Sequence, residues 1–174
     1  GGATTFCKGS SVMLTANSGI GLTYQWKRNG ANIAGATSVN YNANKSGNYT
    51  VLVNNGFCTA LSSALVVTVN NTPTATITNM DVTNNLCVDA SIKLKANGGA
   101  GFTYQWYKGA SALIGETGQF YFATTTGNYK VKVTNASGCS KTSVPYTIVN
   151  ECKLENENLQ SITLYPNPTS DIIN

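Results

Sequence analysis

Apolar residues recur at every second position in short runs along most of this chain. Val12, Leu14 and Ala16 form one such run, and Ile92, Leu94 and Ala96 another. Leu22, Tyr24 and Trp26 line one face of the next segment, as do Phe102, Tyr104 and Trp106. Tyr49, Val51 and Val53 follow later, matched by Tyr129, Val131 and Val133. Side chains alternate across a strand, so period two predicts strands with one buried face. Asn29-Gly30 predicts a hairpin turn between two of them. Short strands at regular spacing, broken by turn signals, point to a sandwich or barrel.

The runs come in pairs because the chain repeats itself. A shift of 80 residues lays Thr23-Tyr24-Gln25-Trp26 on Thr103-Tyr104-Gln105-Trp106, Tyr41 on Tyr121, and Gly47-Asn48-Tyr49 on Gly127-Asn128-Tyr129. Residues 7–56 and 87–136 share 21 of 50 positions without a gap. One inserted residue near Ser137-Gly138 then brings Cys58 to Cys139. Such a period defines two units. We place them at residues 1–71 and 72–150, with the polar run Asn70-Asn71-Thr72-Pro73 as the link. Positions shared by both copies are expected to build the fold. Positions that differ are where a specific function would lie.

Composition supports an all-β chain. The sequence is 41% hydrophobic and only 10% charged, and it is rich in turn and strand formers rather than helix formers. The net charge of +4 is spread thinly, with lysines alternating with apolar residues in Tyr129-Lys130-Val131-Lys132-Val133. That is a solvated strand face, not the clustered basic stripe that nucleic acid requires. No segment reads as a membrane span.

Ser11-Val12-Met13-Leu14-Thr15-Ala16, then Tyr24-Gln25-Trp26, then Gly47-Asn48-Tyr49-Thr50-Val51, resembles strands B, C and F of the immunoglobulin superfamily. The resemblance implies two tandem immunoglobulin-like β-sandwiches. It implies that Trp26 and Trp106 are the buried strand-C tryptophans and that Tyr49 and Tyr129 are tyrosine corners. One departure stands out. The usual inter-sheet cysteines would fall at Ala16 and Val51, and at Ala96 and Val131, which are apolar here. The cysteines are instead Cys7, Cys58, Cys87, Cys139 and Cys152. Bridges Cys7–Cys58 and Cys87–Cys139 are expected, tying the first strand of each copy to its last. Each would close a loop worth about 4 kcal/mol in the chain-entropy model. This edge-staple pattern resembles Ig-like modules of secreted Bacteroidetes proteins. Disulfides imply an oxidising compartment. Cys152 is left over, either as an unpaired thiol or bonded to Cys139 or a partner chain.

After Asn150 the texture changes. Residues 151–160 read as a charged linker. Leu164-Tyr165-Pro166-Asn167-Pro168-Thr169 is similar to the opening of the C-terminal sorting domain of type IX secretion, with Tyr165, Pro166, Asn167 and Pro168 as its motif. The resemblance implies a C-terminal piece of a longer protein, truncated within a sorting domain over 161–174. It also implies export by the type IX machinery to the cell surface or the medium.

Chemistry has little to work with. The sequence has no histidine and hence no Ser-His-Asp triad. It has no CxxC spacing for zinc or redox work. The first copy has no acid before residue 73, so paired glycosidase carboxylates are missing there. Asp81 and Asp89, near Asn84-Asn85, are the one candidate calcium cluster. No metal and no cofactor is expected, and an enzyme is not. For binding, Phe120-Tyr121-Phe122 stands where the first copy has Asn40-Tyr41-Asn42. With Tyr121 inside, Phe120 and Phe122 should point out beside Lys93 and Lys95. Lysine stems covering the rings is the plain reading. The functional one is an aromatic platform for a glycan or protein ligand. Tyr107, near Lys130 and Lys132, is a second candidate on the other sheet. The expected function is a non-catalytic extracellular spacer or adhesion module. The alternative is a carbohydrate-binding module accessory to a polysaccharide-degrading enzyme.

Overall fold

The computed structural model describes residues 3–152 of the chain. Its first copy contains β1 (Thr5–Cys7), β2 (Val12–Thr15), β3 (Thr23–Arg28), β4 (Ala31–Asn32), β5 (Asn40–Ala43), β6 (Gly47–Asn54), β7 (Thr59–Leu61) and β8 (Leu65–Asn70). The second contains β9 (Ile77–Asn79), β10 (Ile92–Ala96), β11 (Thr103–Lys108), β12 (Ser111–Ala112), β13 (Phe120–Ala123), β14 (Gly127–Thr134), β15 (Ser140–Thr142) and β16 (Tyr146–Ile148). All regular structure among the described residues is β.

Each copy is a two-layer sandwich. In the first, a sheet ordered β1-β8-β6-β3-β4, with β7 also on β6, faces the pair β2-β5. In the second, β12-β11-β14-β15, with β16 also on β14, faces β13-β10-β9. Paired sheets let each strand bury one face and wet the other, as the alternation requires. Asn29 and Gly30 both have positive φ, 52° and 83°, which joins β3 to β4 through the tight turn that the Asn-Gly pair favours. Gly47 and Gly127 open the long strands at φ 154° and 142°. A Cβ there would lie 2.8 Å from Arg28 Cγ and Lys108 Cε, so both copies keep glycine.

Each core is organised around three aromatic rings. Trp26 stacks on Tyr41 of the facing sheet at 5.9 Å between centroids, and Tyr41 meets Tyr49 at 5.8 Å. Trp106, Tyr121 and Tyr129 repeat this at 5.5 and 5.4 Å. The polar atoms of the tryptophans and corner tyrosines are satisfied from nearby backbone. Trp26 and Trp106 donate through Nε1 to the carbonyls of Ser38 and Gly118, both at 2.9 Å. The hydroxyls of Tyr49 and Tyr129 donate to the carbonyls of Lys45 and Thr125 at 2.8 and 2.7 Å. These are the expected corner bonds, each made four residues upstream. Val12, Leu14, Val51 and Val67 complete the first core, and Ile92, Leu94, Val131, Val133 and Ile148 the second.

The copies differ at one edge. In the second, β9 pairs antiparallel with β10, and Ile77 packs on the core. The chain then crosses to the other sheet, where Asn85 bridges Val149 in parallel. The first copy has the second contact, as β1 parallel to β8. Among its described residues no strand covers the outer edge of β2.

Burial pushes the Tyr121 hydroxyl up from an ordinary 10.0 to about 12, with the neighbouring Tyr129 phenol adding to the effect. The unfolded chain gives up this proton first. Stability present below pH 10 should therefore decline as the pH rises through about 12. Absorbance titration should resolve a tyrosine ionising near pH 12 that Tyr121→Phe removes. Tyr129→Phe should cost about 1–3 kcal/mol in urea unfolding, because the Thr125 carbonyl loses its buried donor.

Candidate functional site

The five cysteines do not pair as expected. Cys7 bonds Cys139 of the other copy, with Cα atoms 5.6 Å apart, and Cys87 bonds Cys152 at 5.2 Å. Cys58 is free and exposed. The expected bridges Cys7–Cys58 and Cys87–Cys139 are thereby overturned, and strand direction explains why. Cys7 sits beside Asn70, three residues beyond the point where Val67 pairs with Gly47. Cys58 lies past Asn54, at the opposite end of β6. About ten residues of strand separate the two levels, roughly 30 Å at the usual rise. A disulfide spans less than about 7 Å between Cα atoms. First and last strands are neighbours, but these two cysteines occupy opposite poles.

The actual bridges follow from the same geometry. The β14–β15 turn of the second sandwich sits at the far pole of the first. There Asn135 Oδ1 accepts from the Ser137 and Cys139 amides at 3.1 and 3.0 Å, which shapes the turn. Its Nδ2 donates to the Asn71 carbonyl at 2.8 Å, holding the connecting segment. Cys139 is fully buried in the junction. In the second copy Cys152 takes the place that Asn71 has in the first, once the inserted residue is counted. From there it reaches Cys87. Asn85 fastens this end by donating to the Glu151 carbonyl at 2.7 Å and accepting from its amide at 2.9 Å. Residues 151 and 152, expected to begin a linker, are thus anchored to the second sandwich. Cys152 is neither unpaired nor bonded to Cys139.

The aromatic candidates do come together. Lys93 pairs with Phe122 and Lys95 with Phe120 across β10 and β13. All four point away from the core. Phe120 is 41% exposed and Phe122 55%. The Lys93 ammonium stands 4.8 Å from the Phe120 centroid and 5.6 Å from that of Phe122, and Lys95 is 5.7 Å from Phe120. At such distances the cations are attracted to the ring faces. The result is a cationic aromatic strip, absent from the first copy, where Met13 and Thr15 face Asn42 and Asn40. Tyr107 is apart from it on the other sheet, half-buried and opposite Lys130.

Asp81 and Asp89 do not converge on an ion. Asp81 accepts from the Lys93 amide, and Asp89 from the Thr83 hydroxyl at 2.8 Å. Asn84 and Asn85 spend their side chains on the carbonyls of Thr147 and Glu151. Among the described residues no group of three or more His, Cys, Asp or Glu side chains could hold a metal. No helix of the described chain is long and apolar enough to cross a membrane. The motif Tyr165-Pro166-Asn167-Pro168 lies outside the described residues.

No protein-family profile and no curated protein matches this sequence. Solved structures do. The N-terminal eight Ig domains of Down Syndrome Cell Adhesion Molecule superpose with a TM-score of 0.56 at 13% identity, over 85% of this chain and 26% of that one. Sidekick-1 immunoglobulin domains 1–5 give a TM-score of 0.34 at 17% identity, over 84% and 35%. The titin I-band fragment I67–I69 gives 0.35 at 12%, over 80% and 60%. The chain thus spans about a third of the Sidekick-1 fragment and a quarter of the adhesion-molecule one. At this identity the likeness shows the fold, tandem immunoglobulin-like sandwiches, and nothing finer.

Alkylation of the native chain before reduction should label Cys58 alone. A non-reduced digest should yield Cys7 linked to Cys139 and Cys87 linked to Cys152. Recovery of a Cys7–Cys58 peptide would refute this pairing.

Proposed function

We propose that this chain is a non-catalytic extracellular spacer with an adhesive role. The observation that carries the reading is the Cys7–Cys139 bond, which joins two sandwiches pole to pole. A covalent lock between successive units limits hinge motion, which suits a stalk that holds something at a fixed distance. It also closes a loop across 132 residues, worth about 5 kcal/mol in the chain-entropy model. In this reading residues 1–71 and 72–150 are two domains, and their disulfides support a location outside the reducing cytoplasm. The resemblance of the tail to a type IX sorting domain supports export to the surface or medium of a Bacteroidetes cell. Small-angle scattering should give one extended shape that becomes a broad ensemble when Cys7 and Cys139 are replaced by serine. Turnover of a polysaccharide by the purified chain would overturn the non-catalytic reading.

A second reading rests on the strip of Phe120, Phe122, Lys93 and Lys95. Two partly exposed rings on a flat strand pair suit stacking on a sugar, and the ammonium groups favour an acidic one. Affinity electrophoresis in acidic and neutral polysaccharides is the test. Retardation that Phe120→Ala with Phe122→Ala abolishes, with unchanged melting, supports a carbohydrate-binding module. Equal mobility of the two proteins in every polysaccharide excludes it.

A further inference from the structure

We infer that the free pole of the first sandwich is a docking site for another module of this same design, sealed by a disulfide to Cys58. Cys58 is the repeat mate of Cys139, and Cys139 is already bonded to the cysteine beside the last strand of a preceding sandwich. The turn that carries it is ready-made. Asn55 Oδ1 accepts from the Phe57 and Cys58 amides at 3.0 and 2.8 Å, as Asn135 does in its own turn. Asn55 Nδ2, the mate of the group that holds the Asn71 carbonyl, makes no hydrogen bond among the described residues. Phe57 beside it, and Ile20 in the β2–β3 loop, are both fully exposed. The corresponding loop and turn of the second copy meet at the same pole, where a Cβ on Gly101 would lie 3.2 Å from Ala136 Cβ.

A second observation, independent of the thiol, points to the same occupant. Among the described residues no strand lies on the outer edge of β2, whereas that of β10 carries β9. A cleft of about 520 Å³ opens beside it, lined by Val12, Leu14, Ala16 and Leu65. Val12, Leu14 and Ala16 remain 6%, 5% and 8% exposed, whereas Ile92, Leu94 and Ala96 are at 0%. In the second copy the Asn97 side chain grips the incoming strand. It accepts from the Thr76 amide at 2.9 Å and donates to the Thr74 carbonyl at 3.1 Å. Asn17 is its repeat mate, and its side chain has no partner among the described residues. The occupant is therefore the trailing end of a module that brings a cysteine of the Cys7 type to Cys58. It then lays a strand of the Thr74–Asn79 type antiparallel on β2. Cys87 cannot continue such a series downstream, because Cys152 holds it.

The bond forms by exchange with a disulfide oxidant. The Cys58 thiolate attacks one oxidant sulfur, and the other leaves as a thiolate. The incoming cysteine thiolate then attacks the mixed disulfide at the Cys58 sulfur and releases the second oxidant thiol. Two protein thiols lose two electrons and two protons, and one oxidant disulfide becomes two thiols. Such a bond serves assembly alone. A chain that seals Cys58 and also degrades a polysaccharide would overturn the spacer reading and leave this one standing.

Two experiments test it. In the first, a second copy of residues 1–80 is placed directly before Gly1, which keeps the repeat in phase, and the chain is oxidised with glutathione disulfide. The expected product links the added Cys7 to the original Cys58 and leaves one free thiol, on the added copy's own turn. An original Cys58 that still alkylates in a folded product, with three free thiols, overturns the proposal. The second uses the unextended chain and a synthetic Thr74–Met80 peptide at millimolar concentration. The peptide should shift the amide resonances of Met13, Thr15 and Asn17, and a peptide N-methylated at the Thr78 position should not. Absence of any shift with the first peptide overturns the strand addition.

Discussion

In each sandwich the two sheets are held at their distance by one stack of rings. Trp26 and Trp106 come from the larger sheet, Tyr41 and Tyr121 from the facing one, and the corner tyrosines close the row. Each ring buries a large apolar area, and stacked or tilted pairs add to it. The polar ends of the tryptophans and corner tyrosines reach backbone carbonyls. Among the described residues no buried side-chain nitrogen or oxygen lacks a partner. The valines, leucines and isoleucines of both layers fill in around this row, and the loops are set by where its strands end.

Fixing the strands also fixes two poles, and the poles govern covalent chemistry. Strand β1 runs parallel to β8, so its cysteine leaves at the same end as the chain itself. The turn cysteine sits at the other end. Within one sandwich the two can never meet. Between the two sandwiches, stacked pole to pole, Cys7 and Cys139 do. The same rule puts Cys152, one residue beyond the Glu151 clasp, within reach of Cys87. Bridges expected to staple each sandwich separately instead become a lock between the sandwiches and a clamp on the second.

The differences between the copies follow from their neighbours. The second sandwich receives the connecting chain as β9 and a partner for its turn, and its core is sealed. Among the described residues the first has neither, and the mates of the residues that make those contacts in the second copy, Asn17 and Asn55, have side-chain amides without a donor bond. The Phe120–Phe122 strip has no mate in the first copy. It belongs to whatever distinguishes this second sandwich from its twin.

Much of this was legible in the residues. Period-two runs located the strands, the 80-residue shift separated the copies, and the resemblance of the residues around Trp26 and Tyr49 to immunoglobulin strands implied the sandwich. Alternation alone turned Phe120 and Phe122 outward beside Lys93 and Lys95. These are local properties, set by where a side chain points on a strand. Cysteine pairing is not local. Proximity in strand order suggested Cys7–Cys58, but only the direction of β1 against β8, and the stacking of one sandwich on the next, could put the sulfurs in contact. The sequence by itself determined the strands of each copy and which face of each is buried, because side-chain alternation is a local property of a strand. The tertiary structure alone decided which ends meet, because a disulfide answers to distances of a few ångströms in space.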